Sequence, residues 1–271
     1  MTDLNPQAQQ MADESMVRNL AAQAEAIWPQ ELPLFDRYGL GDDIQILDAG
    51  CGTGEISARL AERYGRARVL GVDIIANHLE LARRRCAAFG ERVRFEERSV
   101  YDLGLPDASF DLVVCRHVLH AIPHADRVLA ELVRVTRPGG RLHLLVEDYG
   151  MIQFAPGALS HDHFWHAAPL RFGEATGTDL HIGRKTYALL RRLGLAEITV
   201  DYMIVDPLRA PRETIARIFT AWRDGYTDAI AETLALPRAQ VTSHFDDMIA
   251  TLRSPDGYAV WFAPVYSARR S

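Results

Sequence analysis

The sequence predicts an α/β chain with a doubly wound, mainly parallel seven-stranded sheet, an N-terminal helix ahead of it and a helical cap inserted before its last strand. Three observations predict this. From about residue 44 short apolar runs alternate with helical stretches; the first run empties into a glycine-rich turn; and the second ends on an aspartate, Asp73. Strands alternating with helices of about 10 to 15 residues imply crossover units, and crossovers imply a parallel sheet.

Taken in order, residues 8–27 place Met16, Leu20 and Ala24 at helical spacing, so an N-terminal helix is expected to lead up to Trp28 and Pro29. The strands follow as IQILDAG, ARVLGVD, VRFEER, FDLVVCRHVL and RLHLLVED, with helices near 54–64, 76–89 and 125–136 between them. After Tyr149 the pattern loosens. Pro156, Pro169, Gly173 and Gly177 mark an irregular insertion over 150–180. The rhythm returns with a helix near 183–193 and the strand AEITVDYMIV, then two helical stretches near 212–235 and 238–252, and a last strand YAVWFAPVYSA. The expected organisation is an N-terminal helical segment over 1–40, a core over 41–205, a helical cap over 206–255 and a final core strand over 256–271. A connection as long as that cap usually serves function.

Composition narrows the function. The net charge is −6, Lys185 is the only lysine and no basic run occurs, which argues against a nucleic-acid partner. No apolar run approaches the roughly 20 residues of a membrane helix, and the polar, acidic start lacks a secretory pattern, so a cytoplasmic monomer or homodimer is expected. Cys51, Cys86 and Cys115 have neither metal-ligand spacing nor the even count of a disulfide framework. His161, His163 and His166 match no recognised metal pattern, and no metal is expected.

The chemistry concentrates in Ile46-Leu47-Asp48-Ala49-Gly50-Cys51-Gly52-Thr53-Gly54, a strand entering a turn that opens a helix. Glycines there let the backbone approach a ligand, and the helix start offers free N–H groups. A tight turn with no ligand would read the same way. The dinucleotide pattern G-x-G-x-x-G would need glycine at position 55, where Glu55 stands, which disfavours a nicotinamide oxidoreductase. Asp73 lies where a carboxylate accepts from a ribose diol, or it is a solvated strand-end acid.

With LDAGCGTG, Asp73, FDLVVCRHVLHAI and RPGGRLHL in this order, residues 44–148 resemble the class I S-adenosylmethionine-dependent methyltransferases. The resemblance implies S-adenosylmethionine as cofactor and methyl transfer to an oxygen, nitrogen or carbon of a small-molecule acceptor. It also implies a cofactor site built from Asp48, Gly50, Cys51 and Gly52, with Asp73 and Ile74 at the ribose. Ser99 and Val100 would stand at the adenine, and Cys115 and Arg116 near the methionine end. The family's usual acid at the adenine is replaced by Ser99, unless a small register shift brings Asp102 there. Arg116 pairs either with the cofactor carboxylate or with a structural acid.

Two groups are candidates for a general base, His117 first and Glu147 second, each near the carboxyl edge of the sheet. His117 and His120 stand about one turn apart, and both also read as packed or solvated histidines. Glu147, Asp148 and Tyr149 either orient a substrate or cap the insertion. Trp222, Tyr226, Phe245 and Met248 can line an apolar pocket or simply pack the cap, and Arg18 and Trp28 suggest a leading helix that closes over the cofactor. A protein that keeps this fold without methylating anything is the alternative reading.

Overall fold

The computed structural model describes residues 4–155 and 157–271. Five strands, β1 (Gln45–Ala49), β2 (Arg68–Asp73), β3 (Val93–Glu97), β4 (Phe110–Arg116) and β5 (Thr136–Leu145), lie parallel in the order β3-β2-β1-β4-β5. Leu47 of β1 is paired with Leu70 on one side and Val113 on the other. Such strands are buried on both faces, which is why they read as nearly continuous apolar runs.

Along β4 the alternation of side chains divides the core. Leu112 and Val114 join a cluster with Ile27, Leu60 and Leu79 from α2 (Glu14–Arg37), α3 (Glu55–Arg63) and α4 (Ala76–Arg85). Val113 and Cys115 join a second cluster with Leu129, Leu132 and Leu190 from α5 (Ala125–Val135) and α7 (Gly183–Arg192). The two-residue period of a strand therefore decides which residues can reach a site on either face.

The sheet has eight strands rather than seven. β8 (Ala259–Arg269) runs antiparallel between β5 and β7 (Ala196–Val205), but it meets β5 only from Val265 onward. Its first residues, Ala259–Trp261, are paired instead by the short β6 (Ile152–Phe154). Without β6 that stretch would leave backbone groups unpaired on one side.

Two helical expectations fail for identifiable reasons. α2 does not stop at Trp28 and Pro29 but runs to Arg37, beginning at Asp13, whose side chain accepts from Ser15 N at 2.8 Å. Pro29 and Pro33 both lie on its exposed stripe with Glu25, so the carbonyls they leave unbonded, those of Glu25 and Pro29, lie on the side open to water. The opposite face, with Ile27, Glu31, Leu34 and Phe35, is buried and holds the helix together. A separate single turn, α1 (Ala8–Met11), precedes it.

Most of the described residues in the segment 150–180, among which Pro156 does not fall, are regular as well. The segment contains α6 (Asp162–Thr176), whose Phe164, Trp165, Ala168, Pro169 and Phe172 repeat at helical spacing and are buried. Burial of that face outweighs the lost hydrogen bond at Pro169, and Gly177, at φ +70°, ends the helix. α4 also ends earlier than expected, at Arg85, before a 3₁₀ segment over Ala87–Arg92. α8 (Arg212–Leu234) and α9 (Arg238–Arg253) follow the sequence expectation, and α8 packs along α2, α6 and α9. Among the described residues no helix is long and apolar enough to cross a membrane.

Candidate active site

At the carboxyl edge of the sheet β1 empties into a turn in which Gly50 and Gly52 take φ of +73° and +50°. A Cβ at Gly50 would collide with Val118, while at Gly52 the positive φ is the main demand for glycine, since the nearby Leu20 Cδ1 at 2.8 Å can shift. Gly50 N and Cys51 N donate to Val72 O at 2.8 and 3.0 Å. Asp73 ties the turn further, accepting from Gly52 N at 2.8 Å through Oδ2 and from Ile75 N at 2.9 Å through Oδ1. A carboxylate has about four acceptor sites, so each oxygen keeps one for a ligand.

Above this turn lies a cleft enclosing about 710 Å³, open mouth included. It brings together Gly50, Gly52, Asp73, Ile74, Val100 and Arg116 from the expected cofactor set, and His117 from the expected catalytic pair. Part of its remaining wall comes from the N-terminal segment, through Asn5, Gln7, Ala8 and Met11 near α1 and Leu20 of α2, and part from Ile75, His78 and Val118. Arg18 and Trp28 do not contribute: Arg18 pairs with Glu14 and Asp224, and Trp28 packs on Phe35. Asp48 and Cys51 line a smaller recess that also touches Arg116 and His117. Burial pushes the Asp48 carboxyl up to about 6, against the lowering effect of Ser57, whose Oγ donates to it at 2.6 Å.

Two expected residues lie elsewhere. Cys115 points with Val113 into the second core cluster, on the opposite face of the sheet from Arg116, and burial drives its thiol far above the ordinary range. Ser99 is outside the cleft lining; its Oγ accepts from Tyr101 N at 3.3 Å, while Arg98 and Val100 form that wall. Asp102, the alternative, is exposed and accepts from Gly104 N.

Arg116 has a partner that the sequence reading missed. Its Nε donates to Glu31 Oε1 at 2.8 Å, and the same oxygen stands 2.6 Å from His143 Nε2, whose Nδ1 lies 2.6 Å from the Tyr38 hydroxyl. Burial opposes ionisation of Glu31, but Arg116 and His143 overcome it and hold the carboxyl at about 2. Arg116 Nη2, by contrast, is buried without a partner among the described residues. A fully buried glutamate on the Ile27–Phe35 face of α2 was the available signal, since carboxylates are rarely buried unpaired.

The catalytic candidates converge on one carboxylate. His117, held at φ +58° just past the end of β4, places Nδ1 against Glu147 Oε1, while His120 Nδ1 lies 2.6 Å from Glu147 Oε2. Glu147 is fully buried; burial alone would raise its carboxyl, but the two imidazoles hold it well below the usual carboxylate range. Desolvation in turn lowers His117, against the pull of Glu147. A neutral His117 donates Nδ1–H to the carboxylate, and its Nε2, buried and unpartnered among the described residues, is left as an acceptor. Glu147 itself lines neither cavity.

Next to the cleft is a second cavity of about 510 Å³, lined by His120, Tyr149, Trp165, Trp222, Tyr226 and Phe245 among others. Gln7 borders both cavities, and its Oε1 accepts from the Tyr226 hydroxyl at 2.9 Å. Met248 is buried outside this lining. Asp148 does not face it either: the carboxylate is clamped by Arg184 Nε and Nη2, both at 2.6 Å. His161 pairs with Asp247 Oδ2 at 3.0 Å across the cap, while His163 and His166 are exposed on α6. Among the described residues no group of three or more His, Cys, Asp or Glu is placed to hold a metal ion.

A family model described as a methyltransferase domain matches residues 46–140. Demethylmenaquinone methyltransferase of Deinococcus radiodurans is 36% identical over 131 residues, covering 46% of this chain and 52% of that protein. The chain thus spans about half the length of that relative. Among solved structures, phosphoethanolamine N-methyltransferase 2 of Haemonchus contortus in complex with S-adenosyl-L-methionine superposes with a TM-score of 0.60 at 17% identity, over 100% of this chain and 60% of that one. The [4+2]-cyclase SpnF gives 0.61 at 20% identity, over 99% and 97%. At such identities the structural likeness is one of fold.

Proposed function

We propose that this chain, whose residues 46–140 form a methyltransferase domain of the class I fold, transfers a methyl group from S-adenosylmethionine to a small-molecule acceptor. One observation carries the reading: the glycine turn, Asp73 and a half-paired buried guanidinium share a cleft that adjoins an aromatic cavity at Gln7, with His117 on the cleft side and His120 on the cavity side. Buried polar groups without partners are costly, and the lining of this cleft holds four of them among the described residues, Gln7 Nε2, His78 Nε2, Arg116 Nη2 and His117 Nε2. A ligand with a carboxylate, a ribose diol and a charged sulfonium supplies matching groups.

S-adenosylmethionine supplies an electrophilic methyl carbon and a thioether leaving group. The chain does the rest. Arg116 holds the carboxylate through Nη2, its Nε being fixed by Glu31, and Asp73 accepts from the ribose hydroxyls. Positioning nucleophile and methyl carbon within about 3 to 3.5 Å is the main source of acceleration in such a displacement, worth roughly 7 to 11 kcal/mol. His117 Nε2 takes the proton that the acceptor loses. Glu147, buried behind it, acts as a positioning residue that fixes the tautomer, rather than as a second base. α6, α8 and α9 form the cap over the acceptor cavity and keep it dry.

The test is calorimetric titration with S-adenosylmethionine, S-adenosylhomocysteine and NAD in parallel. Binding of the first two without NAD is expected. Binding of NAD alone would defeat the proposal.

A further inference from the structure

We propose that the acceptor is an uncharged ring system bearing a hydroxyl, and that the hydroxyl oxygen receives the methyl group; this rests on the methyl-transfer reading above. Among the described residues no Lys, Arg, Asp or Glu lines the aromatic cavity. The charges of the surrounding helices pair among themselves, as in Arg171 with Glu174, Arg223 with Asp246 and Arg238 with Asp228. A carboxylate or phosphate on the acceptor would therefore meet no lysine or arginine among the described residues of the lining. It would also face the ionised Glu147 behind the two imidazoles.

Tyr226 and Gln7 give the cavity uncharged polar groups. The Tyr226 hydroxyl is committed to Gln7 Oε1, which leaves Gln7 Nε2 buried and unpartnered as a donor for an uncharged oxygen. The apolar walls are planar, with Trp165 and Trp222 nearly parallel at 19° and Tyr149 tilted against both. Flat rings pack on such faces with offset or edge geometry, worth about 0.5 to 1.5 kcal/mol per pair beyond area burial.

The hydroxyl follows from His117 Nε2, a buried acceptor with no donor among the described residues. A neutral hydroxyl is a poor nucleophile until its proton leaves. In the step, the acceptor oxygen bonds the methyl carbon and the carbon–sulfur bond breaks with both electrons going to sulfur. The hydroxyl proton passes to His117 Nε2 and later to water. The products are a methyl ether and S-adenosylhomocysteine.

The experiment uses the S-adenosylhomocysteine-loaded protein and three probes sharing one ring: 2-naphthol, 6-hydroxy-2-naphthoate and the 6-trimethylammonium derivative of 2-naphthol. Binding is read by tryptophan fluorescence and calorimetry. At least tenfold tighter binding of 2-naphthol than of either charged probe is expected, with 2-methoxynaphthalene formed from S-adenosylmethionine. Ile230→Arg, which adds a cation to the cavity wall, is expected to shift the preference at least tenfold toward the naphthoate. Loaded protein that shows no preference for the neutral ring, prefers a charged one, or methylates carbon overturns this proposal and leaves the methyl-transfer reading standing. Protein that cannot be loaded with S-adenosylhomocysteine overturns that reading itself.

Discussion

His117 and Glu147, thirty residues apart in sequence, are joined Nδ1 to Oε1 inside the protein, and the bond leaves His117 Nε2 as the only buried imidazole acceptor on the wall of the cleft that also holds Asp73 and Arg116 among the described residues lining it, apart from His78 Nε2. Sequence reading treats the two as rival bases. Under the proposed function this pairing gives Glu147 the part of orienting His117.

His117→Ala should lower kcat by about 10²- to 10⁴-fold with S-adenosylhomocysteine affinity kept, as removal of a general base does. The pH profile of kcat/KM should rise with pH and level off, with a midpoint below the ordinary histidine value of 6.5, because desolvation lowers His117. In Glu147→Gln the plateau should fall and the midpoint move lower still, since the carboxylate that raises His117 is gone. A profile that stays fixed in Glu147→Gln contradicts the pairing.

Asp73→Ala should weaken S-adenosylhomocysteine binding about 10- to 100-fold, in line with loss of hydrogen bonds to a charged acceptor worth about 1.5 to 3 kcal/mol. Asp73→Asn should lose less. Its amide oxygen can still accept from Gly52 N or Ile75 N. Calorimetry that finds both variants binding like the parent would sink the ribose assignment.

Glu31→Gln tests the link between α2 and the sheet. The Glu31 carboxyl is lowered from 4.5 to about 2, so its contribution to stability is present above pH 4.5 and is lost as pH falls toward 2. At about 1.4 kcal/mol per unit this is about 3 kcal/mol at neutral pH. Denaturant melts should show the parent and variant far apart at pH 7 and converging toward pH 2. Parallel curves across that range would show that the shift carries no stability.

Pro33→Ala should raise stability by about 1 kcal/mol, since an alanine N–H can donate to the Pro29 carbonyl on an exposed helix face. Part of the gain is offset by greater freedom of the unfolded chain. A thermal midpoint that falls would mean that the proline bends α2 into the position its buried face requires.

The legible parts of the site were those whose chemistry is local. Gly50 and Gly52 announce a positive-φ turn, and Asp73 sits at the end of its own strand, so position along the chain already fixes position at the sheet edge. Cys115 and Ser99 were misplaced because neighbours in sequence point to opposite sides. Being next to Arg116 puts Cys115 in the other core. Glu31, Gln7 and His78 were missed because each reaches the cleft or its supports from a different element, with no spacing motif to connect them.

The sequence by itself determined the alternation of strands and helices, the glycine turn and the acid that completes it, because these depend on side-chain periodicity and backbone freedom within a few residues. Tertiary structure decided that α2 continues through two prolines and that α6 forms where glycine and proline suggested a loop, because burial of one face outweighs local propensity. It also decided the pairing of Arg116 with Glu31 and of Glu147 with two histidines, since ionised side chains removed from water take whichever partner the packing brings within hydrogen-bond distance.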